Sequence, residues 1–321
     1  MITYLKHDGI DKLKWDETVS RSVNGIIYAR SWYLDIVSPG WEALIEDDYN
    51  SVFPLTHKRK FGIPYLYQPF FTQQLGIFTR DHLTGKLVSD FLQSIPEKFR
   101  FAEIHLNSMN KIEPDEYTIE KRINLELDLI HTYEYLRKNY DQNVKRNLKK
   151  ASDSSISIGH KVEPDELITL FRENYGKKEQ KLGFADYEVL RKLMSYCLKK
   201  RSGLIMGAFL PDGKLCAAVF FLTDKNRMIF HFAASDHKAR ESGAMFLLVD
   251  SFIREHSGRP LTLDFEGSND PNVARFYKSY GARECNYFMV RINRLPWIIN
   301  KAVNFKKRFR IREFFLHLYK S

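Results

Sequence analysis

Residues 261–282, LTLDFEGSNDPNVARFYKSYGA, decide how this chain is read. Leu261, Leu263 and Phe265 alternate with Thr262, Asp264 and Glu266, a period of two that predicts a strand with both acids on one face. Gly267, Ser268 and Asn269 make a polar turn, and Ser268 or Asn269 is expected to cap the helix that Pro271 starts. Val273, Phe276, Tyr277 and Tyr280 then recur at helical spacing until Gly281, a residue suited to end a helix. Strand, turn, helix and stop form half of a βαβ crossover. A ligand reaching the strand's carboxyl end meets Asp264, Glu266, Ser268 and the helix N-terminus together. An ordinary connection with two solvated acids has the same pattern.

Upstream of this stretch the α/β rhythm repeats. A strand is expected near residues 156–162, helices at 164–175 and 186–201, and strands at 203–210, 214–222 and 228–234. Pro211-Asp212-Gly213 is a hairpin turn between the first two of those three strands. A long helix over 238–256 leads into the opening stretch, and a last strand runs 284–292. The first part of the chain reads as strand 2–5, helices near 11–18 and 29–37, and a hairpin of 41–46 with 51–57. Next come the aromatic segment 61–78, helix 82–93, strand 101–106 and a strand pair within 117–129. His231, inside the apolar run MIFHFAA, reads as a satisfied sheet residue.

At 321 residues the chain suits two domains, with 44% apolar and 28% charged residues, the proportions of a globular protein. No apolar run reaches 18 residues and the N-terminus is too polar for a signal peptide, so a cytoplasmic protein is expected. Cys197, Cys216 and Cys285 are far apart without metal spacing, which predicts free thiols and no metal site. The net charge of +10 is uneven: residues 291–321 hold nine Lys/Arg against Glu313 alone. A second basic stretch, RKNYDQNVKRNLKK at 137–150, places Lys145, Arg146, Lys149 and Lys150 on one helix side. That side suits phosphates of a nucleotide, a coenzyme or a tRNA, and a solvated linker helix looks the same.

Asp264 to Ser268 followed by ARFYKSYGA, with the basic NVKRNLKKA helix, resembles the C-terminal part of FemAB-like transferases of the GNAT superfamily. The resemblance implies an α/β (α+β) chain of two tandem GNAT-like domains, each a mixed, mostly antiparallel sheet flanked by helices. The domains are expected at 1–150 and 151–293, followed by a basic C-terminal helix over 294–321. It implies an N-acyltransferase moving an acyl group from a CoA-type donor to an amine acceptor, with an envelope precursor as one such acceptor. The alternatives are a peptidoglycan aminoacyltransferase using aminoacyl-tRNA and a non-catalytic membrane- or nucleic-acid-binding adaptor.

The same resemblance distributes roles. Asp264 and Glu266 are candidate bases, and Lys278 falls on the family's basic pocket residue. Arg240, Gly243 and Ala244 stand where GNAT enzymes bind a pyrophosphate, with Ser268, Lys145 and Arg146 completing the donor side. Met245 fills a position kept small in that motif, where a bulky side chain would crowd the phosphates. Gln68, Gln73 and Gln74, with Tyr280, are the acceptor-side candidates. The same glutamines also suit the capping of open backbone groups beside Pro64 and Pro69. Acyl-CoA is the expected co-substrate, without a metal. The tail, with Ile298, Ala302, Phe305 and Phe309 in one stripe among cations, reads as a packing helix, a peripheral membrane contact at the inner surface or an RNA contact.

Overall fold

The computed structural model describes residues 1–112, 117–176, 182–267 and 270–295. The chain divides into two compact units: Met1–Arg122 together with residues 286–295, and Ile123–Cys285. It passes from one to the other within strands rather than in a linker. Residue 150, the expected boundary, lies inside a helix of the second unit.

In chain order the first unit has β1 (Ile2–Leu5), α1 (Lys12–Arg21), α2 (Ser31–Val37), β2 (Glu42–Glu46) and β3 (Ser51–Leu55). It continues with β4 (His57–Lys60), β5 (Ile63–Leu66), β6 (Phe78–Thr79), α3 (Gly85–Gln93) and β7 (Phe101–His105). Strand β8 (Thr118–Asp128) carries the chain into the second unit as one strand, where the sequence suggested a pair. There follow α4 (Tyr133–Lys138), α5 (Gln142–Asp153), β9 (Ser157–Gly159), α6 (Pro164–Phe171) and α7 (Phe184–Lys200). Next are β10 (Gly203–Phe209), β11 (Leu215–Asp224), β12 (Arg227–Ser235), α8 (His237–Ser242) and α9 (Ala244–His256). Finally β13 (Thr262–Asp264) and α10 (Pro271–Lys278) precede β14 (Arg283–Asn293), which returns to the first unit.

In the first unit β1, β2, β3 and β6 pair antiparallel. Strands β4 and β5 form a hairpin, β5 runs parallel to β7, and residues 289–293 of β14 pair antiparallel with β7. Phe53, Leu55, Leu66, Phe91, Ile104, Val290 and Ile292 share the core beneath α3. Alternating burial along β7 places Ala102 and Ile104 inward, as a half-buried strand requires.

In the second unit β9 to β12 are antiparallel, β12 and β13 are parallel, and β13 is antiparallel to β8. Phe221 stacks on Phe252 of α9 at 3.9 Å, and Phe265 stacks on Tyr277 of α10 at 4.6 Å. These large rings pack helices on the sheet and supply much of the apolar burial. Asp270, whose side chain accepts from the Asn272 amide at 2.7 Å, caps α10, with Pro271 as its first residue. The expected caps Ser268 and Asn269, like the tail over 296–321, lie outside the described residues. The long helix expected over 238–256 is broken at Gly243 into α8 and α9.

Candidate functional site

The second unit's sheet is interrupted where its chemistry-bearing residues meet. Strand β12 pairs with β13 over Arg227–Ile229 and then runs on to Ser235 without it. The chain beyond β13 stays with β8 instead, because the Phe265 amide donates to the Leu125 carbonyl at 2.9 Å. The two strands therefore part at their carboxyl ends.

On its other edge β12 shifts register against β11. Phe220 faces Phe232 and Phe221 faces Phe230, which leaves His231 as an extra residue in a β-bulge. Opposite, Glu266 takes a left-handed backbone (φ +56°) that glutamate seldom adopts. Gly267 follows at φ +51°, and a Cβ there would stand 2.3 Å from the Ile123 carbonyl, so only glycine fits. Bulge and turn bring the His231 Nδ1 to 3.0 Å from the Glu266 carboxylate, with both side chains buried. Burial holds the Glu266 carboxyl protonated well above the usual range and pushes the His231 imidazole down to about 3. Both shifts run against charge on either member of the pair.

Asp264 has a different occupation. Its Oδ1 accepts from the Glu266 amide at 2.9 Å, and its Oδ2 accepts from the Arg227 guanidinium at 2.6 Å. Arg227 also donates to Glu126 at 2.6 Å, so one cation serves two carboxylates. Asp264, 1% exposed, thus pins the turn that presents Glu266.

A second polar chain lies at the end of β12. Ser235 Oγ and Tyr175 Oη are 3.0 Å apart, and the Arg240 guanidinium donates to that phenol at 3.3 Å. Tyr175 sits on the π-helical turn Arg172–Gly176. Asp236 caps α8 by accepting from the Ala239 amide at 2.8 Å. Gly243, at φ +76°, ends α8, and a Cβ on it would come 2.4 Å from the Asn147 carbonyl of α5. Its glycine is accounted for by that helix contact. Ala244 opens α9 and is buried, and Met245 also points into the core, so the methionine does not crowd the polar side as the sequence suggested. On α5, Val144, Asn147 and Ala151 face inward while Lys145, Arg146, Lys149 and Lys150 are exposed. Arg146 donates to Asn143 at 2.7 Å, and the three lysines make no ion pair among the described residues.

The structure does not gather Asp264, Glu266 and Lys278. They belong to separate pairs, with Arg227, His231 and Glu284 respectively. Tyr280 is fully buried and donates to the Phe246 carbonyl at 3.1 Å, which removes it from any acceptor surface. In the first unit, Gln68 donates to the Thr72 carbonyl at 2.9 Å and accepts from the His105 amide at 3.2 Å. Gln74 accepts from the Ser108 amide at 3.0 Å and donates to Gln73 at 2.7 Å. These amides satisfy backbone groups, the alternative that the prolines of this segment suggested. Ser268 lies outside the described residues. Sequence reasoning missed Tyr175 and the partnership of His231 and Arg227 with the two acids. A histidine amid apolar strand residues carries no local sign of a bulge.

A cleft of about 380 Å³ opens at the opposite, amino end of β13, lined by Thr262, Glu126, Asp128, Arg283 and Glu284 among others. Among the described residues no cluster of His, Cys, Asp and Glu is placed to hold a metal ion. No helix among them is long and apolar enough to cross a membrane.

Residues 138–279 match the family model described as an acetyltransferase (GNAT) domain. No curated relative matches the sequence. Among solved structures the chain is similar to FemX, at 12% identity and a TM-score of 0.62, covering 94% of this chain and 99% of that one. It is also similar to L-PGS from Bacillus licheniformis, at 12% identity and a TM-score of 0.55, covering 93% and 96% of the two chains. The C-terminal domain of a putative lysylphosphatidylglycerol synthetase from Agrobacterium fabrum gives 12% and 0.54, covering 92% and 96%. Residues 138–279 thus carry the match to a GNAT acetyltransferase domain, and the chain has the fold of FemX over nearly its whole length.

Proposed function

We propose that the protein transfers an acyl group from a CoA thioester directly to the amine of an acceptor. The parting of β12 from β13 carries this reading. Beyond Ile229 the edge of β12 is left by β13, and an extended donor arm bearing amides can lie along it as a strand would. Arg240 and the cations of α5 stand nearby in the same unit for the donor's phosphates.

Glu266 is better suited to give a proton than to take one, because burial raises its pKa and favours the protonated carboxyl. The acceptor nitrogen forms the new C–N bond, the C–S bond breaks, and the departing thiolate takes the proton from Glu266. The proton shed by the amine restores the carboxyl by way of His231. Asp264 and Arg227 hold the turn and take no part in the transfer. An envelope precursor is the acceptor class we infer, since one protein of similar fold is named for the lipid lysylphosphatidylglycerol.

A second reading keeps the fold and takes aminoacyl-tRNA as donor. It is favoured by Lys145, Arg146, Lys149 and Lys150, which offer an open cationic row to a polynucleotide. Thermal melts separate the two. Saturating CoA should raise the melting temperature by linkage, and R240A should abolish the rise without unfolding the free protein. With a thioester and an acceptor amine supplied, E266Q should lower turnover by about 10²-fold. No shift with any CoA thioester transfers the assignment to the tRNA donor, and wild-type turnover by E266Q removes Glu266 from the chemistry.

A further inference from the structure

The β4–β5 hairpin of the first unit ends in a two-residue turn. Lys60 pairs with Ile63, and the residues between them, Phe61 and Gly62, have φ +51° and +77°. Two successive left-handed residues make the type I′ geometry, whose first position suits asparagine, aspartate or glycine. A phenylalanine there is strained by its Cβ, and backbone strain of this kind persists where it serves a purpose. The ring gains nothing from the fold in return, since Phe61 is 87% exposed.

Behind that ring stand three cations. Lys58, Arg59 and Lys60 are all exposed, and the segment from His57 to Tyr67 contains no acid. None of the three makes an ion pair among the described residues. Lys60 Nζ lies 5.9 Å from the Phe61 ring and Lys58 Nζ lies 4.4 Å from the Tyr67 ring. Strand alternation sends Lys58 and Lys60 to one face of the hairpin and Arg59 to the other. At roughly 3.3 Å per residue, the charges fall within about 10 Å of the tip. That depth matches the zone between lipid phosphates and the acyl boundary, into which interfacial apolar groups sink about 5–10 Å.

We propose that this hairpin is a peripheral membrane-docking element for anionic lipid surfaces, Phe61 entering the acyl boundary while Lys58, Arg59 and Lys60 meet the phosphates. The site is independent of the acyl-transfer reading and of the tail. A polyanion such as RNA would use the cations without needing an aromatic wedge at the outermost point of a turn.

The test is co-sedimentation of the full-length protein with vesicles of phosphatidylcholine alone or mixed equally with phosphatidylglycerol. Wild type should bind the mixed vesicles in a salt-sensitive way. F61N should weaken that binding about tenfold, the loss expected for one partly buried ring. Because Asn-Gly is the preferred type I′ pair, F61N should also raise the melting temperature by about 2 °C, which separates lost docking from lost folding. The K58Q/R59Q/K60Q variant should lose about 100-fold on mixed vesicles and its salt dependence with it. The proposal is overturned by absent wild-type binding, by undiminished binding of F61N, or by a loss confined to the charge variant. The last result is what a general polyanion surface gives.

Discussion

In the first unit the buried polar side chains are mostly amides and hydroxyls: Asn24, Gln74, Asn107, Asn110, Ser51 and Thr79 among them. In the second they include Asp236, Asp250, Asp264, Glu266, Asp270 and His231. The amides of the first unit complete its backbone. Asn110 accepts from the Ile77 amide at 2.8 Å and donates to the Ile77 carbonyl at 3.0 Å, in the manner of a neighbouring strand. Glu42, paired with Lys98 at 2.7 Å, is an acid inside that unit. The acids of the second unit need caps, cations or a retained proton, each with a desolvation cost. One α/β unit thus hides neutral groups that hold its shape, and the other hides ionisable groups that can do chemistry.

The hardest way to break this contrast is to remove Arg227. R227A leaves Asp264 buried without its cation and frees the turn that presents Glu266. We expect a loss of about 3 kcal/mol in urea denaturation, followed by a probe in the second unit. A loss below 1 kcal/mol would mean that Asp264 is far better solvated than its burial implies. N110A tests the other side. It should cost about 2 kcal/mol, the penalty of stranding one buried backbone amide and weakening one carbonyl, and the cost should not change with pH. A pH-dependent cost would tie the amide network to a titrating group and erase the distinction.

Titration sharpens the comparison through the slope of stability with pH, which per pH unit is the smallest of the three quantities. The folded His231 has its imidazole pushed down to about 3 by burial, so the unfolded chain binds its proton first as pH falls. Stability that His231 leaves intact above pH 6.5 is therefore lost on acidification, at most about 1.4 kcal/mol per pH unit. Glu266 runs the other way, since its raised pKa makes the folded state lose stability as pH climbs above the ordinary carboxyl range. E266Q should flatten the alkaline limb of the stability–pH curve and H231Q the acid limb. His105 of the first unit, lowered to about 4 by burial and then by Arg122, should leave a residual acid slope in H231Q. A curve unchanged by both substitutions would show that the pair is hydrated.

Local rules read much of the second unit from its sequence. Pro211-Asp212-Gly213 marks the hairpin between β10 and β11, Pro271 marks the first residue of α10, and period-two runs mark β10 to β12. The break at Gly243 was written as a glycine within a helical pattern, but only the close pass of Asn147 gives it meaning. The bulge at His231 leaves no trace in composition, because an extra residue in an apolar strand looks like any other. Asp264 and Glu266 share a strand face by spacing, yet left-handed φ at Glu266 sends them to different partners. Non-local register decided both. In the first unit the glutamines were visible, and what they bond to was set by the end of β7 and the residues just after it, some thirty residues further on.

The return of β14 to the first unit has a consequence for how the chain is made. Val290 and Ile292 belong to the core that β2, β3 and α3 begin, and β7 waits for residues 289–293 as its partner. On the ribosome every described residue of the second unit emerges before them. The second unit, whose described residues are contiguous in sequence, can be folded while β7 still shows an unpaired edge and the earlier core lacks one wall. Vectorial synthesis thus exposes the amide-rich scaffold longest. The half that is translated first is the half that closes last.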